Sequence, residues 1–171
     1  MATYNGEKYI EQQIQSILVQ LSDKDELIIS DDNSTDNTVK IIKGISDSRI
    51  KLFFNKEKGY TSNFENALNQ VTGDIIFLSD QDDIWIFNKV EICLKELESY
   101  DFVVSDCKVI NNKNEIISES YFGLRNVKKT GLGNLIKFSF LGCCIAFRAD
   151  VLKKALPFPS NRKLCTHDNW L

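Results

Sequence analysis

The sequence predicts an α/β fold with a mostly parallel central sheet flanked by helices, a Rossmann-like three-layer sandwich. Short apolar runs alternate with segments of helical period, the order expected of βαβ units. Two of those runs, Leu27-Ile28-Ile29-Ser30 and Ile75-Ile76-Phe77-Leu78, end in acidic clusters. In open α/β sheets ligands collect at the carboxyl ends of parallel strands, so such clusters fall where a site belongs. The 171 residues are 43% hydrophobic and 26% charged. That suits one globular domain with its own buried core, neither disordered nor fibrous.

In chain order, a first helix is expected over about Glu7 to Leu21, with Ile10, Ile14, Ile17, Leu18 and Leu21 on one face. Leu27 to Ser30 reads as a short buried strand ending at Asp31-Asp32, and Asn33-Ser34-Thr35-Asp36-Asn37 supplies cap-type side chains for a second helix through about Lys43. Ile50 to Phe54 is a strand, Thr61 to Val71 a helix, and Asp74 to Ser79 a strand ending at Asp80. A helix over Phe87 to Glu98 turns Val90, Cys93, Leu94 and Leu97 inward, and Asp101 to Ser105 is a further strand. Cys107 to Ile110 and Glu115 to Ser118 flank Asn111-Asn112-Lys113-Asn114 as a hairpin. Gly131 to Lys137 reads as a short helix and Ser139 to Phe147 as a strand with Gly142 near its middle.

Several function classes drop out. With 21 Lys+Arg against 24 Asp+Glu, a net charge of −3, the chain lacks the basic excess of a nucleic-acid binder. Five cysteines at irregular spacings fit neither a secreted disulfide framework nor a zinc or CxxC motif. A reducing, cytoplasmic setting is expected. The stretch Phe138 to Phe147 is interrupted by Ser139 and Gly142 and falls short of the roughly 20 residues a bilayer span needs. Both ends are abrupt, so the expectation is one domain over residues 1–171, truncated at each end.

Four or more carboxylates in one crevice repel one another unless a cation sits among them. Hard oxygen ligands suit Mg²⁺ or Mn²⁺, ions that commonly also hold a substrate diphosphate. Aspartates equally terminate strands and open turns, and for Asp31-Asp32 both readings stay open. At Asp80-Gln81-Asp82-Asp83 the density of charge favours metal binding. The third glycine of a dinucleotide fingerprint is missing after Gly131-Leu132-Gly133, no GxxxxGK[ST] loop exists, and His167 is the single histidine. In Thr166-His167-Asp168-Asn169-Trp170 a carboxylate base could sit beside an aromatic platform, or the segment could be a polar loop.

Taken together, Thr3-Tyr4-Asn5-Gly6, Asp31-Asp32-Asn33-Ser34-Thr35-Asp36, Gly59 with Asn63, Phe77-Leu78-Ser79-Asp80-Gln81-Asp82-Asp83-Ile84-Trp85, Gly142-Cys143 and His167-Asp168 occur in that order. The set resembles the family 2 glycosyltransferases of GT-A fold, the bacterial type that builds cell-surface polysaccharides, in a branch often labelled rhamnosyltransferase-like. The resemblance implies that Ala2, Thr3 and Tyr4 line a nucleotide base, with Asp32, and Asp31 beside it, hydrogen-bonding it. Asp80 and Asp82 would form the DxD element, holding the ribose and a divalent Mn²⁺ or Mg²⁺ on the diphosphate. Asp168 would be the general base, Asn63 and Lys58-Gly59 would lie near the nucleotide, and Trp170 and His167 would face the acceptor. The implied reaction is inverting, metal-dependent transfer from a UDP- or dTDP-sugar to a hydroxyl of a glycan or lipid-linked acceptor. The implied place is the cytoplasm or the inner face of its membrane, reached peripherally through parts outside this chain.

Three rivals share some of the pattern. A phosphohydrolase of the haloacid-dehalogenase type also combines a DxD with an acidic pair, but in the opposite order along the chain. A nucleotidyltransferase needs a glycine-rich basic loop that Tyr4-Asn5-Gly6-Glu7-Lys8 does not supply. The third rival is a non-catalytic nucleotide-binding fragment.

Overall fold

The computed structural model describes residues 1–127, 140–159 and 170. Its first half builds a parallel three-stranded sheet in the order β1 (Ala2–Thr3), β2 (Leu27–Asp31), β3 (Ile50–Phe54). Ala2 stands opposite Ser30, and Leu27 to Asp31 run in register with Ile50 to Phe54. Helices α1 (Ile10–Leu18), α2 (Thr38–Gly44) and α3 (Tyr60–Leu68) alternate with these strands. The second half adds β4 (Ile75–Phe77), α4 (Lys89–Glu96) and β5 (Phe102–Val104). A hairpin of β6 (Val109–Ile110) and β7 (Ile116–Ser118) follows, then α5 (Tyr121–Arg125), β8 (Ile145–Arg148) and α6 (Leu152–Ala155).

β4 and β5 each pair antiparallel with β8, which lies between them, so β4 and β5 run parallel to one another. The parallel sheet expected from the βαβ pattern is therefore present in β1-β2-β3, and β8 joins the second half as a reversed strand. Side-chain alternation along β2 sorts the two faces. Leu27 and Ile29 pack with Ile10, Ile14, Ile17, Leu18 and Ile42 of α1 and α2. Ser30, of the opposite phase, faces α3. There its hydroxyl donates to Asn63 Oδ1 at 2.6 Å and accepts from Asn66 Nδ2 at 2.7 Å. The other core joins Phe64 and Leu68 of α3 to Ile76, Leu78, Ile145, Phe147 and Leu152. Among the described residues no helix is long and apolar enough to cross a membrane.

Two expectations need correction. The strand expected over Ser139 to Phe147 is a 3-10 turn at Gly142–Cys144 followed by β8. Ser139 lies outside the described residues, as does the helix expected over Gly131 to Lys137. Leu94 is exposed, whereas Cys93 and Leu97 are buried. Those two form a narrow i, i+4 stripe against Ala146, and Leu94 sits about 100° around the helix from Cys93. The cap-type run expected before α2 supplies Asp36, whose Oδ1 accepts from Thr38 N at 2.9 Å.

Candidate active site

The loops leaving β1, β2 and β4 meet at one end of the sheet, and polar side chains fasten them together. Asn5 and Asn33, the residues just past β1 and β2, turn the chain with φ of 48° and 62°, a left-handed conformation that Asn tolerates better than most residues. Asn5 N donates to Ser34 Oγ at 2.9 Å, Gly6 N to Thr38 Oγ1 at 2.7 Å and Glu7 N to Asp36 Oδ2 at 3.1 Å. In return Thr35 N donates to Asn5 Oδ1 and Asn37 N to Glu7 Oε2. The polar run after β2 thus both caps α2 through Asp36 and holds the β1 loop.

Asp31 and Asp32 differ sharply in their surroundings. Asp31 is fully buried, and its carboxylate accepts from Thr3 Oγ1 at 2.9 Å, Ser34 N at 2.8 Å and Ser34 Oγ at 2.6 Å. It organises the turn from inside. Asp32, largely buried as well, accepts from Asn55 Nδ2 at 2.8 Å and from Gly59 N at 3.0 Å. Gly59 has φ 134°, open to glycine but strained for an L side chain, so the residue type at this point fixes the amide that meets Asp32. Asn63 is buried and bridges β1 to β2, donating to Thr3 O at 3.0 Å as well as accepting from Ser30. Ala2 and Thr3 are buried too, whereas Tyr4 is half-exposed at the crevice.

The acidic loop after β4 is clamped from two sides. Buried Gln13 of α1 donates to Ser79 Oγ at 2.7 Å and to Asp80 O at 3.2 Å. Trp85 N donates to Ser16 Oγ at 3.0 Å, and the Trp85 ring packs on Phe77 with Lys89 Nζ 4.7 Å from its centroid. Gln81 reaches the β1 exit in strand-like fashion: its Oε1 accepts from Tyr4 N at 2.8 Å and its Nε2 donates to Tyr4 O at 3.0 Å. This residue escaped the sequence reading, although its place inside the acidic motif was the available signal. A Cβ on Gly6 would lie 2.3 Å from Gln81 Oε1. Gly6→Ala is therefore expected to expel the Gln81 amide and to destabilise the protein about as much as Gln81→Ala does. Chemical denaturation of the two single variants and the double variant checks this; additive losses would mean that the two positions act separately.

Asp80, Asp83 and Cys143 offer ligand atoms that all lie within 4.8 Å of one another. Burial, then repulsion from Asp83 and Asp82, pushes the Asp80 carboxyl up to about 7, against the opposing hydrogen bond that Tyr60 donates at 3.3 Å. Burial also raises the Asp83 carboxyl, the Cys143 thiol partly offsetting it by donating a hydrogen bond. Asp83 Oδ2 is buried without a hydrogen-bond partner in the structure. Carboxylates left raised and partly unpartnered fit a cation, and their oxygens suit Mg²⁺ or Mn²⁺. Asp82, expected to be the metal ligand, is exposed at the mouth of the loop and lies outside this inner cluster.

Asp168 and His167 lie outside the described residues. Trp170 is half-exposed, and its indole N–H donates to Ala155 O at 2.7 Å. It borders a cavity of about 380 Å³ with Asp101, Arg148 and Lys154, and no acid of the β4 loop lines that cavity. A larger cavity of about 620 Å³ is lined by Met1, Leu27, Ile28 and residues of β4, but by none of Asp31, Asp32, Asp80, Asp82 and Asp83. It is not the site of the chemistry proposed below.

Comparison with known proteins agrees with this geometry. The model of the family "Glycosyl transferase family 2" matches residues 1–156. The chain is 33% identical over 162 residues to the UDP-Glc:alpha-D-GlcNAc-diphosphoundecaprenol beta-1,3-glucosyltransferase WfgD of Escherichia coli, covering 93% of this chain and 62% of that protein. It is 31% identical to the dTDP-rhamnosyl transferase RfbG of Shigella flexneri, covering 100% of this chain and 63% of that one. The chain thus spans less than two thirds of these relatives. Among solved structures, S. aureus TarS 1-349 in complex with UDP superposes with a TM-score of 0.70 at 22% identity, covering 90% of this chain and 46% of TarS. That likeness shows the shared GT-A fold, and with the family match it leads to one conclusion: the chain belongs to glycosyl transferase family 2.

Proposed function

We propose that this domain transfers a sugar from a nucleoside-diphosphate donor to a hydroxyl of a glycan or lipid-linked acceptor, with inversion and with help from a divalent cation. The observation that carries the reading is the acidic loop of β4, tied through Gln81 to the β1 exit and gathering Asp80 and Asp83 within ligand distance. Relatives named for UDP-glucose and dTDP-rhamnose, and TarS structures holding UDP or UDP-GlcNAc, support a UDP- or dTDP-sugar. The relatives named for diphosphoundecaprenol acceptors support work at the inner face of a membrane, reached through parts of the protein outside this domain.

In this reading Tyr4 and the edge of Asp32 border the base, and Asp80 meets the ribose side of the donor. Asp80, Asp82 and Asp83 would hold Mn²⁺ or Mg²⁺, which when bound supplies Lewis-acid stabilisation of the departing diphosphate. Asp82, already exposed, is the carboxylate that an arriving diphosphate meets first. The acceptor hydroxyl is a weak nucleophile at neutral pH, and Asp168 takes its proton as it attacks the face opposite the leaving group. That in-line displacement inverts the anomeric carbon and calls for no covalent sugar–protein adduct.

Calorimetric titration of UDP and dTDP, with and without Mn²⁺, tests the reading. Metal-enhanced binding is expected for the wild type and lost in Asp82→Ala. Asp168→Asn in the full-length protein is expected to keep that binding and to lose sugar transfer by about a hundredfold or more. Equal affinity with and without metal would overturn the metal assignment, and full transfer by Asp168→Asn would overturn the base.

A further inference from the structure

We infer that Cys143 is a thiolate ligand of the acidic centre, so that the site favours a thiophilic divalent cation such as Co²⁺ or Zn²⁺ over the hard ions Mg²⁺ and Mn²⁺. The inference rests on the metal-dependent reading above and adds to it a ligand of a different chemical kind. Its geometric basis is that the Cys143 sulfur lies within 4.8 Å of a carboxylate oxygen of both Asp80 and Asp83. The thiol is buried and already donates a hydrogen bond to Asp83, whose other oxygen has no partner in the structure.

The backbone explains how the sulfur comes to be there. In an extended strand the adjacent Cys143 and Cys144 would point to opposite faces. The 3-10 turn over Gly142–Cys144 removes that alternation, and the two thiols are hydrogen-bonded to each other. Lys89 Nζ donates to Cys143 O at 2.7 Å and holds the main chain in place beneath the acidic loop. Of this adjacent pair it is the Cys143 sulfur that lies within 4.8 Å of the Asp80 and Asp83 carboxylates.

Ligand softness sets the consequence. Mg²⁺ demands near-octahedral oxygen ligands, whereas thiolate accepts the later, softer divalent ions. Binding replaces the sulfur–hydrogen bond by a sulfur–metal bond, and the released proton passes to solvent.

The test is Co²⁺ titration of the protein in the presence of UDP, read by absorption and by X-ray absorption at the cobalt edge, with bound cobalt counted by equilibrium dialysis. The expected result is a thiolate-to-cobalt charge-transfer band and a sulfur neighbour in the first coordination shell. Both are expected to vanish in Cys143→Ser and to persist in Cys107→Ser. The ratio of Co²⁺ to Mg²⁺ affinity is expected to fall about tenfold or more in Cys143→Ser. Because the edge spectrum needs only the wild type, the assignment stays testable if the variant fails to fold. Cobalt bound with oxygen and nitrogen neighbours alone, or a band unchanged in Cys143→Ser, overturns the thiolate ligand while leaving the metal-dependent reading intact. Wild-type protein that binds neither Co²⁺ nor Mn²⁺ overturns both.

Discussion

Replacing Asp80 by Asn is expected to stabilise the metal-free protein at about pH 7.5 by roughly 2 to 4 kcal/mol, and to abolish the further stabilisation that Mn²⁺ with UDP gives the wild type. The sign follows from proton counting. An unfolded Asp titrates near 3.8, whereas burial and the neighbouring Asp83 and Asp82 raise folded Asp80 to about 7. Between these values the native state binds more protons than the unfolded chain, so the Asp80 contribution to stability is full below the lower value and is lost as pH rises through 7. Asn has no such loss, and its carbonyl still accepts from the Tyr60 hydroxyl that Asp80 uses at 3.3 Å.

Other groups titrate elsewhere or in the opposite sense. Asp36, Asp47 and Asp106 are held low by hydrogen bonds, and Arg49 beside Asp47 holds that carboxyl at about 2. Their contribution is present above the ordinary Asp range and fails only as pH falls below it. Subtracting the Asp80→Asn stability curve from that of the wild type removes these shared terms. Equal slopes for the two proteins between about pH 4 and 7 would show that Asp80 carries no such strain. A ligand at a hundredfold its Kd adds about 2.7 kcal/mol, and that is the gain the variant should lack when Mn²⁺ and UDP are present.

Much of this site was readable from the chain because its parts are local. The apolar run Leu27-Ile28-Ile29 and the Asp31-Asp32 that ends it declare a buried strand and its ligand-facing end within a few residues, and Ile50 to Phe54 falls at the expected boundaries. Gln81 is different. Its clasp on Tyr4 joins residues 77 apart in sequence, and only the approach of the β1 and β4 exits creates it. Cys143 was hidden for a local reason, since a strand through Gly142 gives neighbouring cysteines opposite directions and the 3-10 turn reverses that conclusion. The motif spacing singled out Asp80 and Asp82; the fold in addition brings Asp83 and Cys143 up to Asp80, and Asp82 is exposed beside them. Gln13 and Ser16 of α1 hold Ser79, Asp80 and Trp85.

Asp31 shows how the same residue type can serve the site from within, and Asp31→Ala is expected to cost about 3 to 5 kcal/mol of stability. Three donors converge on its carboxylate, from Thr3 Oγ1, Ser34 N and Ser34 Oγ, and the residue has no exposed surface. Removing the acceptor strands those donors at the junction of β1, β2 and the loop that follows. A hydrogen bond to a charged group is worth about 1.5 to 3 kcal/mol, and buried donors left without partners add their desolvation cost. Asp31→Asn keeps two acceptor lone pairs and should lose less than half as much. Chemical denaturation of the three proteins, followed by UDP titration below the transition, separates two roles that motif spacing could not. If Asp31 braces the fold, stability falls in the order wild type, Asn, Ala, while UDP affinity in the folded protein stays level. If instead stability is unchanged and UDP affinity drops, Asp31 touches the base and its carboxylate must turn outward when the nucleotide binds. The complete burial of Asp31 and the three donors that converge on its carboxylate favour the first outcome.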